Sequence, residues 1–174
     1  MKSLCFALVL MIGLPSLAQQ VCDTRSYPLS SPTSRFDDNG DGTVTDKESR
    51  LMWTRCSAGQ RLESGGCVGD PNLLDWKAAQ ELAASVNSSG ALFYNDWRVP
   101  QLRELAAITE RQCQNPRVNL AVFPQTPGNF YWTSSSRAGK EFESQAYGLS
   151  FGPEGVKLQP KDLAFHVRLV RNAK

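Results

Sequence analysis

The chain holds a single histidine, His166, among 174 residues, and that scarcity removes several chemistries at once. Histidine-assisted nucleophilic catalysis needs a nucleophile pattern around the ring, and none surrounds His166. A structural zinc site needs clustered cysteine and histidine, which one histidine does not supply. Charge of one sign is scarce too. Lysine and arginine number 19 against 17 aspartates and glutamates, too even a balance for the basic face that nucleic-acid binding requires. Past residue 18 no apolar run approaches the roughly 20 residues that span a bilayer. No internal repeat or low-complexity tract is present.

The one apolar run stands at the N-terminus. Lys2, the stretch from Leu4 to Leu14 and the small-x-small triplet Ser16-Leu17-Ala18 predict a secretory signal peptide over residues 1–18. Pro15 ends the run, and it is too short for a membrane anchor. The expected location is therefore exported: periplasmic, cell-surface or extracellular. Cys5 leaves with that segment, and four of five cysteines stay. An even number in an exported chain reads as two disulfides, with three pairings open. The favoured set is Cys56–Cys67, closing a local loop that contains Gly59, Gly65 and Gly66, with Cys22–Cys113 pinning an N-terminal arm. On the chain-entropy account the short loop contributes about 3 kcal/mol and the long one about 4–5 kcal/mol.

Residues 37–48, DDNGDGTVTDKE, fit a calcium-loop pattern. Asp37, Asn39 and Asp41 stand at alternating ligand positions, Gly42 at the sharp turn and Glu48 at the twelfth place. The flanks argue against helices on either side. YPLSSPTSRF carries two prolines, and RLMWTRC has no three-turn apolar stripe. A β-hairpin is favoured: a strand near Arg35-Phe36, a turn through Asn39-Gly40-Asp41-Gly42, and a return strand Thr43-Val44-Thr45. No cofactor is expected, apart from the open alternative of a calcium ion held weakly by Asp37, Asn39 and Asp41.

Two helices follow. Asp75 caps a segment reaching Asn87, with Trp76, Ala79, Ala83 and Val86 on one face. Pro100 opens a second segment to Arg111, with Leu102, Leu105 and Thr109 turned inward. The last third reads as strands: Phe130–Thr133, Ala146–Phe151, Val156–Leu158 and Phe165–Arg171, the last with His166 and Arg168 on one face. The order predicts an α+β domain with helices packed on a mainly antiparallel sheet.

RFDDNGDGTVTD (35–46), LMWTRC (51–56), the Trp76 helix, DWRVPQLREL (96–105), YWTSSS (131–136) and HVRLVR (166–171) together resemble the Lcl C-terminal domain family. That family is named after the end of a collagen-like bacterial adhesin. After the signal peptide (1–18) and an N-terminal arm (19–34), the resemblance implies one domain over 35–174. It implies a C-type lectin-like fold, shared with formylglycine-generating enzymes, in which the two chain ends pair as neighbouring strands. The two cysteine pairs also look like those of exported members. The family pattern has Thr-Gly where Ser49-Arg50 stand, and it usually lacks an acid at Glu48.

The resemblance implies a non-enzymatic binding or adhesion module for anionic, sulfated polysaccharide. An envelope protein is the alternative partner, in a structural, pilus or secretion assembly. A formylglycine-type enzyme would need two free cysteines. Tyr131, Trp132, Ser134, Ser135, Ser136, Arg137 and Lys140 form the candidate recognition segment, with rings to stack on sugar faces and hydroxyls and cations to meet anionic groups. The competing reading buries Trp132 in the core. Asp96-Trp97-Arg98 is expected to hold an internal ion pair to the closing strand, for example through Arg168, with Trp97 as core.

Overall fold

Glycine supplies the turn that starts the domain. Gly40 and Gly42 take φ of 76° and 86°, left-handed values that glycine adopts without penalty. The computed structural model describes residues 20–23, 25, 26 and 28–173. The expected signal peptide, with Cys5, lies outside the described residues. In chain order the elements are β1 (Val21–Cys22), β2 (Phe36–Asp38), β3 (Thr43–Asp46), β4 (Leu51–Thr54), β5 (Arg61–Glu63) and β6 (Gly66–Val68). Then come α1 (Trp76–Ser89), α2 (Leu102–Ala107), β7 (Cys113–Gln114), β8 (Phe130–Trp132), β9 (Gln145–Ser150), β10 (Val156–Pro160) and β11 (Val170–Asn172).

The strands form four antiparallel sheets, ordered β1-β7, β10-β9-β8, β11-β4-β3-β2 and β5-β6. The expected hairpin is present as β2 and β3, with Asp37 opposite Thr45. With two helices packed against these sheets, the α+β arrangement agrees with the C-type lectin-like expectation. One detail differs. The chain ends do not pair with each other: β11 pairs with β4, and β1 pairs with β7. The β2–β3–β4 meander leaves β4 as the free edge for β11, while the Cys22–Cys113 disulfide holds the arm on β7. The second disulfide joins Cys56 to Cys67.

The four-stranded sheet is buried on both faces. Val44, Trp53 and Val170 lie in one cross-strand row and pack with Leu105, Ile108, Phe123 and Tyr131. Met52 points the other way, into a second cluster with Ala79, Ala83, Trp97, Trp132 and Val167. Period-two alternation therefore feeds two cores from one strand.

Local signals set α1. Asp75 accepts a hydrogen bond from the N–H of Ala78, 2.8 Å away, and Gly90 ends the helix at φ 65°. Buried Ala79 and Ala83 let it approach the sheet closely. α2 is shorter than the predicted helix to Arg111. Thr109 leaves it to bridge Val118, and the Glu110 carboxylate turns to the arm, accepting from the N–H groups of Ser30 and Ser31.

The closing segment also departs from its predicted regular strand. Phe165 and His166 make single bridges to Leu74 and Tyr131, and only Val170–Asn172 joins a ladder. His166 and Arg168 face protein, not solvent, at 5% and 0% exposure. The expected ion pair to the closing strand forms, though through Arg171 and not the example Arg168. Asp96 pairs with Arg171, and Arg98 makes two hydrogen bonds to Glu104 of α2. Arg168 donates instead to the carbonyls of Thr54 and Arg55 and to Oγ1 of Thr126. Trp97 is core, as expected.

Arg50 takes φ 55°, a left-handed conformation that glycine would adopt without penalty. Nearby, buried Asp46 is held by Arg35 through two hydrogen bonds and by the Ser49 hydroxyl. Burial would raise its carboxyl, but the hydrogen bonds from Arg35 and Ser49 outweigh that and keep it below the usual range. Glu110 behaves alike: burial raises it, and main-chain donors from Gln112, Ser31 and Ser30 bring it lower.

Asp46→Asn is expected to destabilise by about 1.5–3 kcal/mol in urea denaturation, because it removes the charge from a hydrogen-bonded pair and leaves exposed Glu48 as the carboxylate beside Arg35. Both carboxyls titrate lower when folded than when unfolded. Their stabilisation is therefore complete above the ordinary carboxylate range near pH ~4 and is lost as pH falls through the folded values. An acid titration of the wild type followed by circular dichroism checks the sign.

Candidate functional site

The acidic turn spends its side chains on its own backbone. Asp38 accepts from the N–H of Gly40 at 2.9 Å, and Asp41 accepts from both N–H and Oγ1 of Thr43. Asn39 donates to Oγ1 of Thr43 and of Thr45. Asp37 pairs with Lys47 at 3.2 Å on the exposed side of the hairpin. Asn39 and Asp41 thus meet on the Thr43 hydroxyl, while Asp37 is paired elsewhere with Lys47. Among the described residues, no three His, Cys, Asp or Glu side chains converge to hold a metal ion. Glu48 lies 3.4 Å from the Arg35 guanidinium, so its place in the calcium-loop pattern serves an ion pair. Arg55 ties the turn to the body, bonding Asp38 and the carbonyls of Ala121 and Val122.

The candidate recognition segment divides in two. Tyr131 and Trp132 are fully buried, which corrects their assignment as sugar-stacking rings. β8 is held along the closing segment, where the N–H of Trp132 donates to the carbonyl of His166. Trp132 packs on Phe165 at 4.6 Å between ring centres and donates its indole N–H to the carbonyl of Leu74. Tyr131 packs on Phe151 and shares a 2.6 Å hydrogen bond with Ser57. Ser135 is also structural, since its hydroxyl accepts the N–H of Leu102 at the start of α2.

Ser136, Arg137 and Lys140 are exposed and Ser134 is half-buried. The Arg137 guanidinium lies 4.0 Å over the Phe142 ring. Two further residues border this surface. The half-buried ring of Trp76 donates its N–H to the carbonyl of Thr133, and the Lys161 ammonium sits 4.2 Å over that ring. Lys161 is anchored by the carbonyl of Glu143. Sequence reasoning took Trp76 for the inner face of α1 and had no signal for Lys161, which directly follows β10.

A second feature was not foreseen. A groove of about 680 Å³ runs between the acidic turn, the loop after β4, β5, the last turns of α1 and residues 91–93. Leu62, Leu82, Val86, Leu92, Phe93 and Leu169 make it apolar, with Asp41 and Arg61 among its polar lining. Phe93 is 79% exposed and takes φ 62°. Four stretches distant in sequence meet here, 40–42, 54–62, 82–93 and Leu169, so no local pattern announces it.

Both cysteine pairs are closed as disulfides, so among the described residues no free thiol of the kind formylglycine-type chemistry requires is present. Among the described residues, no helix is long and apolar enough to cross a membrane. The sequence matches the Lcl C-terminal domain over residues 42–171. No curated protein matches the chain.

Removal of the turn carboxylate in Asp41→Ala is expected to cost about 1 kcal/mol, the worth of the lost bonds to Thr43. The loss is expected to be equal with calcium and with chelator in parallel thermal melts. A calcium-dependent rise in the wild-type midpoint that Asp41→Ala abolishes would instead assign the turn to an ion.

Proposed function

This chain belongs to the Lcl C-terminal domain family, and from that premise we propose an exported adhesion module that binds anionic polysaccharide around Ser134–Lys140. As a member of that family it is a non-enzymatic, adhesin-type domain. The observation that carries the reading is the pair of exposed cations, Arg137 and Lys140, neither of which has a carboxylate within ion-pair distance among the described residues. Among the other described cations, Arg35, Lys47, Arg55, Arg61, Lys77, Arg98 and Arg171 pair with carboxylates, while Arg25, Arg50, Arg103, Arg111 and Lys157 are exposed like Arg137 and Lys140. What sets this segment apart is that its cations stand beside exposed Ser136 and the Phe142 ring.

The chemistry suits a sulfated or carboxylated sugar polymer. Arginine presents a planar fork to an anionic group, and its stacking on Phe142 lowers the entropy lost on binding. Ser136 adds a hydroxyl, and the Trp76 edge with Lys161 extends the surface. Glu141 and Glu143 on the same turn reduce the local charge, so the affinity is modest and rests on multivalency along the polymer. An assembly role in the envelope is the second reading, favoured by the apolar groove with its exposed Phe93.

Affinity for a heparin-type polymer is expected to fall steadily between low and physiological salt, because exposed charges are screened within about 8–10 Å. Arg137→Ala with Lys140→Ala is expected to weaken binding about tenfold, at roughly 0.5–1 kcal/mol per exposed contact. Salt-independent binding, or none across a panel of anionic glycans, contradicts the reading.

A further inference from the structure

The β5–β6 hairpin leaves one strand edge unused. Ser64 and Gly65, with φ of 48° and 82°, form the two-residue turn that joins the strands. In such a hairpin the pair beside the turn exchanges both main-chain hydrogen bonds, and the next pair points its N–H and C=O groups outward. The register makes Glu63–Gly66 the first pair and Leu62–Cys67 the second. Cys67 obeys the rule: its N–H donates out of the hairpin, to Oε1 of Gln125 at 2.7 Å.

Leu62 therefore turns its own N–H and C=O to the opposite edge. The sheet has only these two strands, and it is β5, not β6, that borders the apolar groove. A strand edge with an aligned donor and acceptor beside an apolar wall recognises another extended strand. A sugar polymer or an acyl chain does not use that pattern.

We propose that this edge pairs with the same edge of a second copy of the chain, antiparallel about a two-fold axis at Leu62. The tripeptide Arg61-Leu62-Glu63 is self-complementary in that register. Leu62 stands opposite its own symmetry mate and exchanges two N–H···O=C bonds with it. Arg61 stands opposite Glu63 of the second copy, and the reverse pair forms across the axis.

Side-chain directions agree with this arrangement. Arg61 and Glu63 share one face, where Nε and Oε1 lie 2.7 Å apart, and both are well exposed. Leu62 is half-buried on the other face, where a side chain added at Gly42 would meet its Cβ at 3.9 Å. The pairing thus sets leucine against leucine on the groove side and opposite charges on the solvent side. A parallel pairing in register would set Arg61 against Arg61, which is unfavourable. Leu92 and Phe93 on the same groove add apolar surface next to the incoming strand. The interface is isologous, so it closes at two copies. Its edge is three residues long, which makes the dimer weak. This inference is independent of the polysaccharide reading.

Sedimentation equilibrium of the mature protein over micromolar to millimolar concentration tests it. The wild type is expected to rise from the mass of one chain to that of two. Leu62→Pro removes the outward N–H without touching a bond inside the hairpin, since proline is tolerated at such edge positions. It is expected to stay monomeric with an unchanged circular dichroism spectrum. Arg61→Glu sets like charges opposite each other twice and is expected to weaken association about tenfold. The exchange Arg61→Glu with Glu63→Arg is expected to restore it. A wild type that stays monomeric throughout overturns the proposal and makes the two charges guards against edge pairing. So does a double exchange no stronger than Arg61→Glu alone, or a folded Leu62→Pro that dimerises like the wild type.

Discussion

The fold depends on burying the closing segment between two cores at once. From His166 to Arg171 every residue is at most 5% exposed, though only its end lies in a regular strand. Val170 completes the cross-strand row with Trp53 and Val44, while Val167 and Leu169 fill the opposite cluster with Trp132 and Trp97. Main-chain bonds from Thr54, Ala58 and Trp132 to the carbonyls of Leu169, Val167 and His166 stitch it to β4, the disulfide loop and β8. Three parts of the domain are therefore joined by residues that arrive last in the chain.

That burial forces the two arginines of the segment to find partners inside. Arg168 places its two terminal nitrogens on the carbonyls of Thr54 and Arg55 and on the Thr126 hydroxyl, leaves its buried Nε without an acceptor, and has the Phe123 ring 4.7 Å from its guanidinium. Arg171 takes Asp96 and stacks on Tyr94 at 3.9 Å. Breaking such pairs strands a buried charge, which costs several kcal/mol. Charge that would otherwise advertise a ligand surface is consumed as scaffold, as it also is at Arg35–Asp46 and Arg98–Glu104. Among the cations left exposed, Arg137 and Lys140 stand out because they flank exposed Ser136 and the ring of Phe142 on one turn.

The parts of the fold legible in the sequence are those set by near neighbours. The glycine-rich turn, the Asp75 cap, the Gly90 stop and both disulfides follow from local conformation or cysteine spacing. α2 was overextended because the partner that draws Glu110 out of the helix, the Ser30-Ser31 arm, lies some eighty residues earlier. Alternation in the closing segment predicted a polar face for His166 and Arg168, but alternation cannot distinguish a solvent face from a second core. Tyr131 and Trp132 failed as sugar platforms for the same reason: what covers them comes from residues 57, 74, 151 and 165–167. The groove was illegible because each of its walls is an unremarkable fragment in its own segment. The twelve-residue acidic run ended as a hairpin turn whose carboxylates hold backbone, which a linear pattern match does not reveal.

The central claim is that recognition sits on the Ser134–Lys140 surface of a non-enzymatic domain. Chemical-shift mapping of the isotopically labelled protein with a sulfated oligosaccharide tests it most directly. The account predicts the largest amide shifts at Ser134, Ser136, Arg137 and Lys140, with smaller ones at Trp76 and Lys161. Shifts confined to the groove around Leu62 and Phe93, or no shifts at saturating ligand, would contradict it.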